Sequence, residues 1–340
     1  MNNVAFIIPT GLGCTIGGHA GDATPASKLI ASVCDRLILH PNVVNASDIN
    51  EMSHNSLYVE GSILDRFLEN EINLDEVNSN RILVVVNEIG QPITTNAVNA
   101  SRINLGANIE IEELNTPLIM EAMIENKMAT GVSSGVSELI DQLKDRNDFD
   151  AVAIATPIDM AEGLALDYFR KWRDDSYANP WGGIESKVSR EIATALNKPV
   201  AHAPVESLDV RDDDPELFNI LYTEVVDPRK SAEVISSCYI HCVLKGLHKA
   251  PNITRFDRGI NVSSITCLVS PYGCIGRPHE ACFKAGIPVI AVRENKTFMN
   301  QVDDRIIYVD NYLEATGVVA CIHAGITIES VETYKVKENL

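Results

Sequence analysis

Nowhere along the 340 residues does an apolar run approach the roughly 18–20 residues that a membrane-spanning helix needs. The opening stretch, Met1-Asn2-Asn3-Val4-Ala5-Phe6-Ile7-Ile8-Pro9, also lacks the charged start and long apolar core of a secretory leader. Basic residues are few, 28 Lys and Arg against 47 Asp and Glu, for a net charge of −19. A field of that sign repels phosphate backbones and anionic membrane surfaces, which argues against nucleic acid and membrane partners. These absences predict a cytoplasmic protein that meets a small-molecule ligand, and they leave self-association into a homo-oligomer open. Low-complexity stretches and tandem repeats are missing too. A composition of 45% hydrophobic and 22% charged residues is that of a globular chain with a sizeable core.

Eight cysteines (Cys14, Cys34, Cys238, Cys242, Cys267, Cys274, Cys282 and Cys321) without a leader predict buried thiols rather than a disulfide framework. Cys238-x-x-x-Cys242, with His241 between, falls in a helical stretch and has no second CxxC or HxxxH beside it. No metal site is expected there, and the sequence names no cofactor.

What is present is alternation. Short β-branched apolar runs at 4–8, 37–39, 82–86, 109–114, 151–155, 200–203, 265–269, 289–292 and 306–309 alternate with helical patterns at 23–33, 94–105, 132–144, 185–196, 232–247, 279–285 and 312–323. Parallel strands joined by crossover helices produce this pattern, so the fold class expected is α/β, a Rossmann-like layered architecture with a mostly parallel sheet. Runs such as Ile82-Leu83-Val84-Val85-Val86 are apolar throughout, as strands buried on both faces must be. The runs at 82–86, 151–155 and 265–269 are expected to be central strands. So many strands strain a single compact sheet, which admits two lobes: 1–208 with the Gly-rich loop, and 209–340 completing the sheet or forming a second lobe. The polar stretch 209–230 and the softer one at 172–183 are the candidate boundaries.

Polar groups gather after the strands. Pro9-Thr10-Gly11-Leu12-Gly13-Cys14-Thr15-Ile16-Gly17-Gly18-His19-Ala20-Gly21-Asp22 holds five glycines in eleven residues between a strand and a helix. Glycines let the backbone approach a ligand, and a helix N-terminus favours a phosphate or carboxylate, so Gly11, Gly13, Gly17, Gly18, His19 and Asp22 are candidate ligand contacts. The loop is neither GxGxxG nor a P-loop, and the second strand runs into His40-Pro41-Asn42 rather than an acidic residue, which excludes a nicotinamide-dinucleotide fingerprint. A second loop, Ser270-Pro271-Tyr272-Gly273-Cys274-Ile275-Gly276-Arg277-Pro278-His279, precedes a short helix and a strand ending in Arg293-Glu294-Asn295-Lys296. This loop-helix-strand resembles the corresponding segment of nucleotide-sugar transferases over some twenty residues. Tyr272, Gly276, His279 and Asn295, with Asn42, complete the expected binding set; His40, His202, Glu60, Glu294, Lys296 and Cys274 form the expected catalytic set. Asp65 and Glu69, four apart around Arg66, read as a solvated helix face.

Together the motifs resemble a functionally uncharacterised family seen in cyanobacteria and plant plastids. The resemblance rests on the Gly-rich segment from Pro9 to Ala23, His40-Pro41-Asn42-Val43, Leu57-Tyr58-Val59-Glu60-Gly61 with Leu64-Asp65-Arg66-Phe67, Ala201-His202-Ala203-Pro204, Gly246-Leu247-x-x-Ala250-Pro251, and Glu294-Asn295-x-Thr297 with Tyr312-Leu313-Glu314-Ala315-x-Gly317-Val318. It implies no catalytic residues, and Cys14 and His19 depart from its pattern of a small residue and a tyrosine.

Three functions fit. The first is a small-molecule enzyme that binds an anionic group at the Gly-rich loop and uses His, Glu and Lys for acid–base chemistry. The second is a cofactor-independent racemase or epimerase with Cys14 and Cys274 as opposed bases, which requires a thiol acidified at a helix N-terminus. The third is a non-catalytic, ligand-binding regulatory protein. The enzyme reading carries a geometric expectation: the Gly13–Asp22 and Tyr272–His279 loops share one pocket with His40, His202 and Glu294.

Overall fold

The computed structural model describes residues 1–17, 22–161, 163–164, 167–168, 178–203, 239–254 and 258–331. Two parallel sheets organise them. The larger has six strands: β1 (Asn3–Phe6), β2 (Arg36–Leu39) and β3 (Ser56–Tyr58) lie to one side, β13 (Ile265–Tyr272), β14 (Val289–Lys296) and β15 (Ile306–Val309) to the other. Their order is β15-β14-β13-β1-β2-β3, every pair parallel. The smaller sheet has the order β11 (Val200–His202), β9 (Ala151–Ile154), β5 (Arg81–Val86), β6 (Asn108–Glu113), again all parallel. The fold is therefore α/β with mostly parallel sheets. The runs at 82–86, 151–155 and 265–269 became β5, β9 and β13, each flanked by strands on both sides and buried.

The first sheet draws on both ends of the chain, and the second is inserted between β3 and β13. The boundary expected at 208/209 and the polar stretch 209–230 lie outside the described residues, as does 172–177 of the softer candidate. From Asn179 on, the softer candidate is a helix start: the Asn179 side chain accepts the amide of Trp181, and Pro180 opens a helix, the arrangement a helix start favours.

Period-two alternation of β1 feeds two cores. Val4, Phe6 and Ile8 pack under α1 (Thr24–Ala31) and α8 (Tyr312–Ala324); Ala5 and Ile7 point the other way, against α2 (Gly61–Leu68) and α7 (Arg277–Ala285). On the second sheet Leu83, Val85, Val152 and Ile154 meet α4 (Val136–Leu143) and α5 (Pro180–Leu196), while Ile82, Val84 and Ala153 meet α3 (Pro92–Leu105) and α6 (Tyr239–Lys249). A short α9 (Ile328–Val331) follows α8. In α8, Gly317 has no atom within 4 Å of where a Cβ would stand. Gly317→Ala is therefore expected to raise stability by about 0.5–1 kcal/mol through lost unfolded-state freedom, read by urea denaturation.

Two small sheets complete the fold. One is the antiparallel hairpin of β7 (Ile119–Glu125) and β8 (Met128–Ser134), extended by β10 (Asp159–Met160); the other pairs β4 (Asn73–Asp75) with β12 (Asn252–Thr254). The helix expected over 132–144 starts only at Val136. Residues up to Ser134 belong to β8, and Gly135 turns the chain at φ +89°, where a Cβ would lie 2.4 Å from the Pro117 carbonyl oxygen.

Candidate functional site

A cavity of about 390 Å³ opens above the carboxyl ends of β1, β2 and β3. One wall is built by the loop after β1, by His40-Pro41-Asn42 after β2, and by Tyr58 and Glu60–Asp65 after β3. The facing wall is α5. Its residues Ile184, Val188 and Ile192 enter the second core, and Gly182, Glu185, Ser186, Ser189 and Arg190, at helical spacing on another face, border the cavity. Val200–His202 and Arg277–Pro278 close the ends.

His40 is held in one tautomer. Its Nδ1 accepts the Asn42 backbone N–H at 3.1 Å, so the ring proton sits on Nε2. Asn42 is itself fixed, its amide donating to the Ile8 carbonyl at 3.2 Å and to Thr10 Oγ1 at 2.9 Å. Gly61 makes room for the ring, since a Cβ there would stand 2.7 Å from Nε2. Burial, joined by the charge of Arg190, pushes the imidazole pKa down to about 3, so His40 is neutral in all ordinary conditions.

Glu60 borders the cavity, but its carboxylate caps α2. It accepts from the Ser62 amide (3.0 Å) and hydroxyl (2.5 Å) and from the Ile63 amide (3.3 Å). Burial raises its pKa against those donors and against Arg190. Glu60 is thus an N-cap rather than a free base.

His202 also departs from its expected role. Its side chain has no exposed surface; Nε2 lies 3.2 Å from Thr156 Oγ1, and Nδ1 lies 3.5 Å from Glu185 Oε1. A carboxylate only accepts, so Nδ1 is the donor to Glu185 and Nε2 receives the Thr156 hydroxyl. His202 therefore acts on the cavity through Glu185.

Asp65 and Arg66 are buried, contrary to a solvated face. Arg190 Nη2 donates to Asp65 Oδ2 at 2.6 Å. Burial raises the Asp65 pKa, and Arg190 pulls it back. Arg277 forks onto Glu69 at 2.9 and 2.5 Å.

The Gly-rich loop is tied down from within. Thr15 N donates to the Lys296 carbonyl (3.0 Å), Ile16 N to Asn295 Oδ1 (2.9 Å) and Gly17 N to Asp22 Oδ1 (2.6 Å). Three amides that would cradle an anion are occupied, one of them by a carboxylate. Gly17, at φ +80°, permits the close pass over Ile8 and the Asn42 carbonyl, where a Cβ would fall 2.3 and 2.8 Å from their atoms. Gly11, Gly13 and Gly17 border the cavity; Gly18 and His19 lie outside the described residues.

The second loop does not join them beyond Arg277 and Pro278. Tyr272 stacks edge-on against Tyr308 at 5.7 Å. His279, 3% exposed, accepts the Gly276 amide on Nδ1 at 3.2 Å and meets Ser270 Oγ through Nε2 at 3.0 Å; burial lowers it to about 4. Asn295 is wholly buried, clasping Ile16 and the Tyr312 hydroxyl. Glu294 is exposed and accepts the Tyr312 amide at 2.8 Å; Lys296 is exposed as well. None of Tyr272, Cys274, Gly276, His279, Glu294, Asn295 and Lys296 lines the cavity. They are the struts of the sheet edge.

The thiols do not suit two-base chemistry. Cys14 and Cys274 are both buried, and burial pushes Cys14 well up and Cys274 to about 12. Cys14 is also ten residues short of α1, which starts at Thr24, so it does not occupy that helix's N-terminus. Cys238 lies outside the described residues, and among those described no cluster of three His, Cys, Asp or Glu side chains is suited to a metal.

Sequence reasoning missed Glu185, Arg190, Arg277 and Thr156. The signal for the first two was the polar face of a helix noticed only for its apolar one.

Residues 3–332 match the family described as "Protein of unknown function (DUF3326)". The chain belongs to that family. It is 30% identical over 339 residues to an "Uncharacterized lipoprotein" of Synechococcus sp. strain PCC 6301, covering 94% of this chain and 90% of that protein. No solved structure matches. Among the described residues no helix is long and apolar enough to cross a membrane.

Proposed function

We propose that the cavity between the ends of β1–β3 and α5 is the active site of a small-molecule enzyme, which holds a carboxylate- or phosphate-bearing substrate and works on it by acid–base chemistry. Anion recognition falls to Arg190 and Arg277 rather than to the Gly-rich loop. The observation that supports this most is Arg190: it borders the cavity, gives one Nη to Asp65, and has no other protein acceptor among the described residues. A guanidinium so placed has donors left over in fork geometry for a bound oxyanion. His40 and Glu185 supply the acid–base and polar groups beside it.

Calorimetric titration with phosphate, citrate and 2-oxoglutarate tests the reading. At least one anion is expected to bind, and Arg190→Gln to weaken it about tenfold or more, the worth of a charge-assisted hydrogen bond. Equal affinity in the variant would remove the proposal. A metabolic role also places the protein in the cytoplasm, whereas the name of the Synechococcus relative favours an anchored one; fractionation of cells between soluble and membrane pools separates the two.

A further inference from the structure

We infer that the substrate is a carbonyl compound bearing an anionic group, and that the reaction is proton transfer at the carbon next to the carbonyl, with His40 donating Nε2–H to the carbonyl oxygen and Glu185 taking the proton. The inference rests on the anion-binding reading above and names the chemistry of the same cavity.

Consider first what His40 can offer. Its Nδ1 lone pair is engaged by the Asn42 amide and its Nε2 carries the proton, so it is neither a base nor, being neutral, a source of a mobile proton. One capacity is left, that of a fixed neutral donor. Nε2 has no protein acceptor among the described residues, and Gly61 and Asn42 hold the ring in place. Such a donor stabilises an oxygen that gains negative charge as the reaction proceeds, which is the demand made by a carbonyl turning into an enolate.

The base follows by comparison of the three carboxylates at the cavity. Both Glu60 oxygens accept hydrogen bonds from the start of α2. Asp65 is ion-paired with Arg190. Glu185 keeps 24% of its side chain exposed and, among the described residues, receives only the Nδ1–H of His202, on Oε1. Thr156 and His202 form a buried line behind it, and both are positioning residues, since neither reaches the cavity with a free side-chain atom. A carboxylate backed in this way keeps one oxygen turned to the substrate and a fixed orientation.

The step balances without a co-reactant. Glu185 takes a proton from the carbon; the C–H pair becomes the new C=C bond, and the carbonyl π pair moves onto oxygen, where His40 Nε2–H holds it. Return of the proton to carbon restores the starting charges. In D2O the carboxylic acid of Glu185 exchanges with solvent before that return, so the carbon acquires deuterium.

The experiment is proton NMR of the full chain in D2O with pyruvate, 2-oxobutyrate, 2-oxoglutarate and dihydroxyacetone phosphate as probes, beside titrations of the same compounds. For at least one probe the protons adjacent to the carbonyl are expected to vanish faster than in buffer. Glu185→Gln and His40→Asn should each slow that exchange about 100-fold or more while the anion still binds. His202→Asn should slow it less and move the pH at which exchange is half-maximal, which a purely structural loss would not do. A probe that binds through Arg190 yet exchanges no faster than buffer overturns the inference and leaves the anion reading standing. Failure of every probe to bind while phosphate or citrate does also overturns the inference; failure of phosphate and citrate as well removes both readings, and exchange that survives in both Glu185→Gln and His40→Asn removes the roles assigned here.

Discussion

Between pH 6.5 and pH 4 the protein is expected to lose roughly 3 kcal/mol of unfolding free energy through His40 alone. The folded imidazole has its pKa lowered from 6.5 to about 3, burial being the larger cause and Arg190 the second. As pH falls, the unfolded chain takes up this proton first, so protonation pulls the equilibrium toward unfolding. The stability is complete above 6.5, declines below it, and stops declining near pH 3. His279, lowered to about 4, acts in the same direction. Asp48, Glu60 and Asp65 oppose it: burial raises their pKa values, Asp48 to about 6, and the folded state gains as they protonate. The wild-type curve alone therefore mixes signs. Comparison with His40→Asn isolates the histidine: urea unfolding of both proteins at pH 7, 5 and 4 should show their difference shrinking by about 3 kcal/mol toward pH 4. Parallel curves would mean that His40 is not held neutral, and the fixed-donor role would go with it.

That acid sensitivity was invisible in the residue type, and the reason bears on how much of this molecule can be read from its sequence. Most of the parallel strands were legible, β3 excepted, because a strand covered on both faces must be apolar without interruption; β1, β5, β9, β13 and β14 are buried over most of their length. The hairpin of β7 and β8 was not. Met120 and Ala122 face α5, but Ile119 and Val132 are exposed, and alternation blurred in this way gives no clean period of two. Strands of two or three residues, such as β4, β10 and β12, carry too few positions for any period.

The site divides on similar lines. That the Gly-rich loop and His40 come to one place follows from their positions after neighbouring parallel strands of one sheet; His202 ends a strand of the other sheet, so no such rule brings it to the same cavity, although all three border it. Whether a polar group is available once there depends on its neighbours. Glu60 precedes Gly61 and Ser62 at the start of a helix, which makes it a cap. Asn295 and His279 sit at the same sheet edge as His40, yet every polar side-chain atom they have is engaged by a neighbouring protein group. Glu185 and Arg190 had the opposite history: nothing in a charged helix face distinguishes one turned to solvent from one turned to a cleft.

The placement of that face depends on two glycines, and Gly183→Ala is expected to cost about 2–3 kcal/mol and to weaken anion binding together with stability. Where α5 crosses the hairpin, a Cβ on Gly183 would fall 2.2 Å from the Ala129 carbonyl carbon, 2.3 Å from its oxygen and 2.5 Å from Thr130 N. These are backbone atoms of β8, a strand paired along its length with β7 and held at its other edge by the Ala129 amide, which donates to the Gly11 carbonyl at 3.2 Å, so they cannot swing aside as a side chain would. The same crossing is tight from the other side, since a Cβ on Gly131 would meet the Glu121 oxygen at 2.4 Å and Ile184 Cβ at 2.7 Å. To admit the methyl group, α5 must lift from the hairpin. Glu185 and Arg190 lie on the next two turns of that helix, so the lift carries them away from His40 and Asp65. The usual helix gain of alanine over glycine, about 0.5–1 kcal/mol, reduces the cost without cancelling it. Gly182 provides the internal control: its Cβ would meet only Thr10 Cγ2, at 2.9 Å, the movable end of a side chain. Gly182→Ala should therefore stay within about 1 kcal/mol of wild type, because a side-chain tip can yield where backbone cannot. Urea denaturation of the two variants, with an anion titration of each, decides the matter: a Gly183→Ala protein as stable as Gly182→Ala would show that α5 is free to adjust over the hairpin, and that the cavity wall it forms is not fixed by this contact.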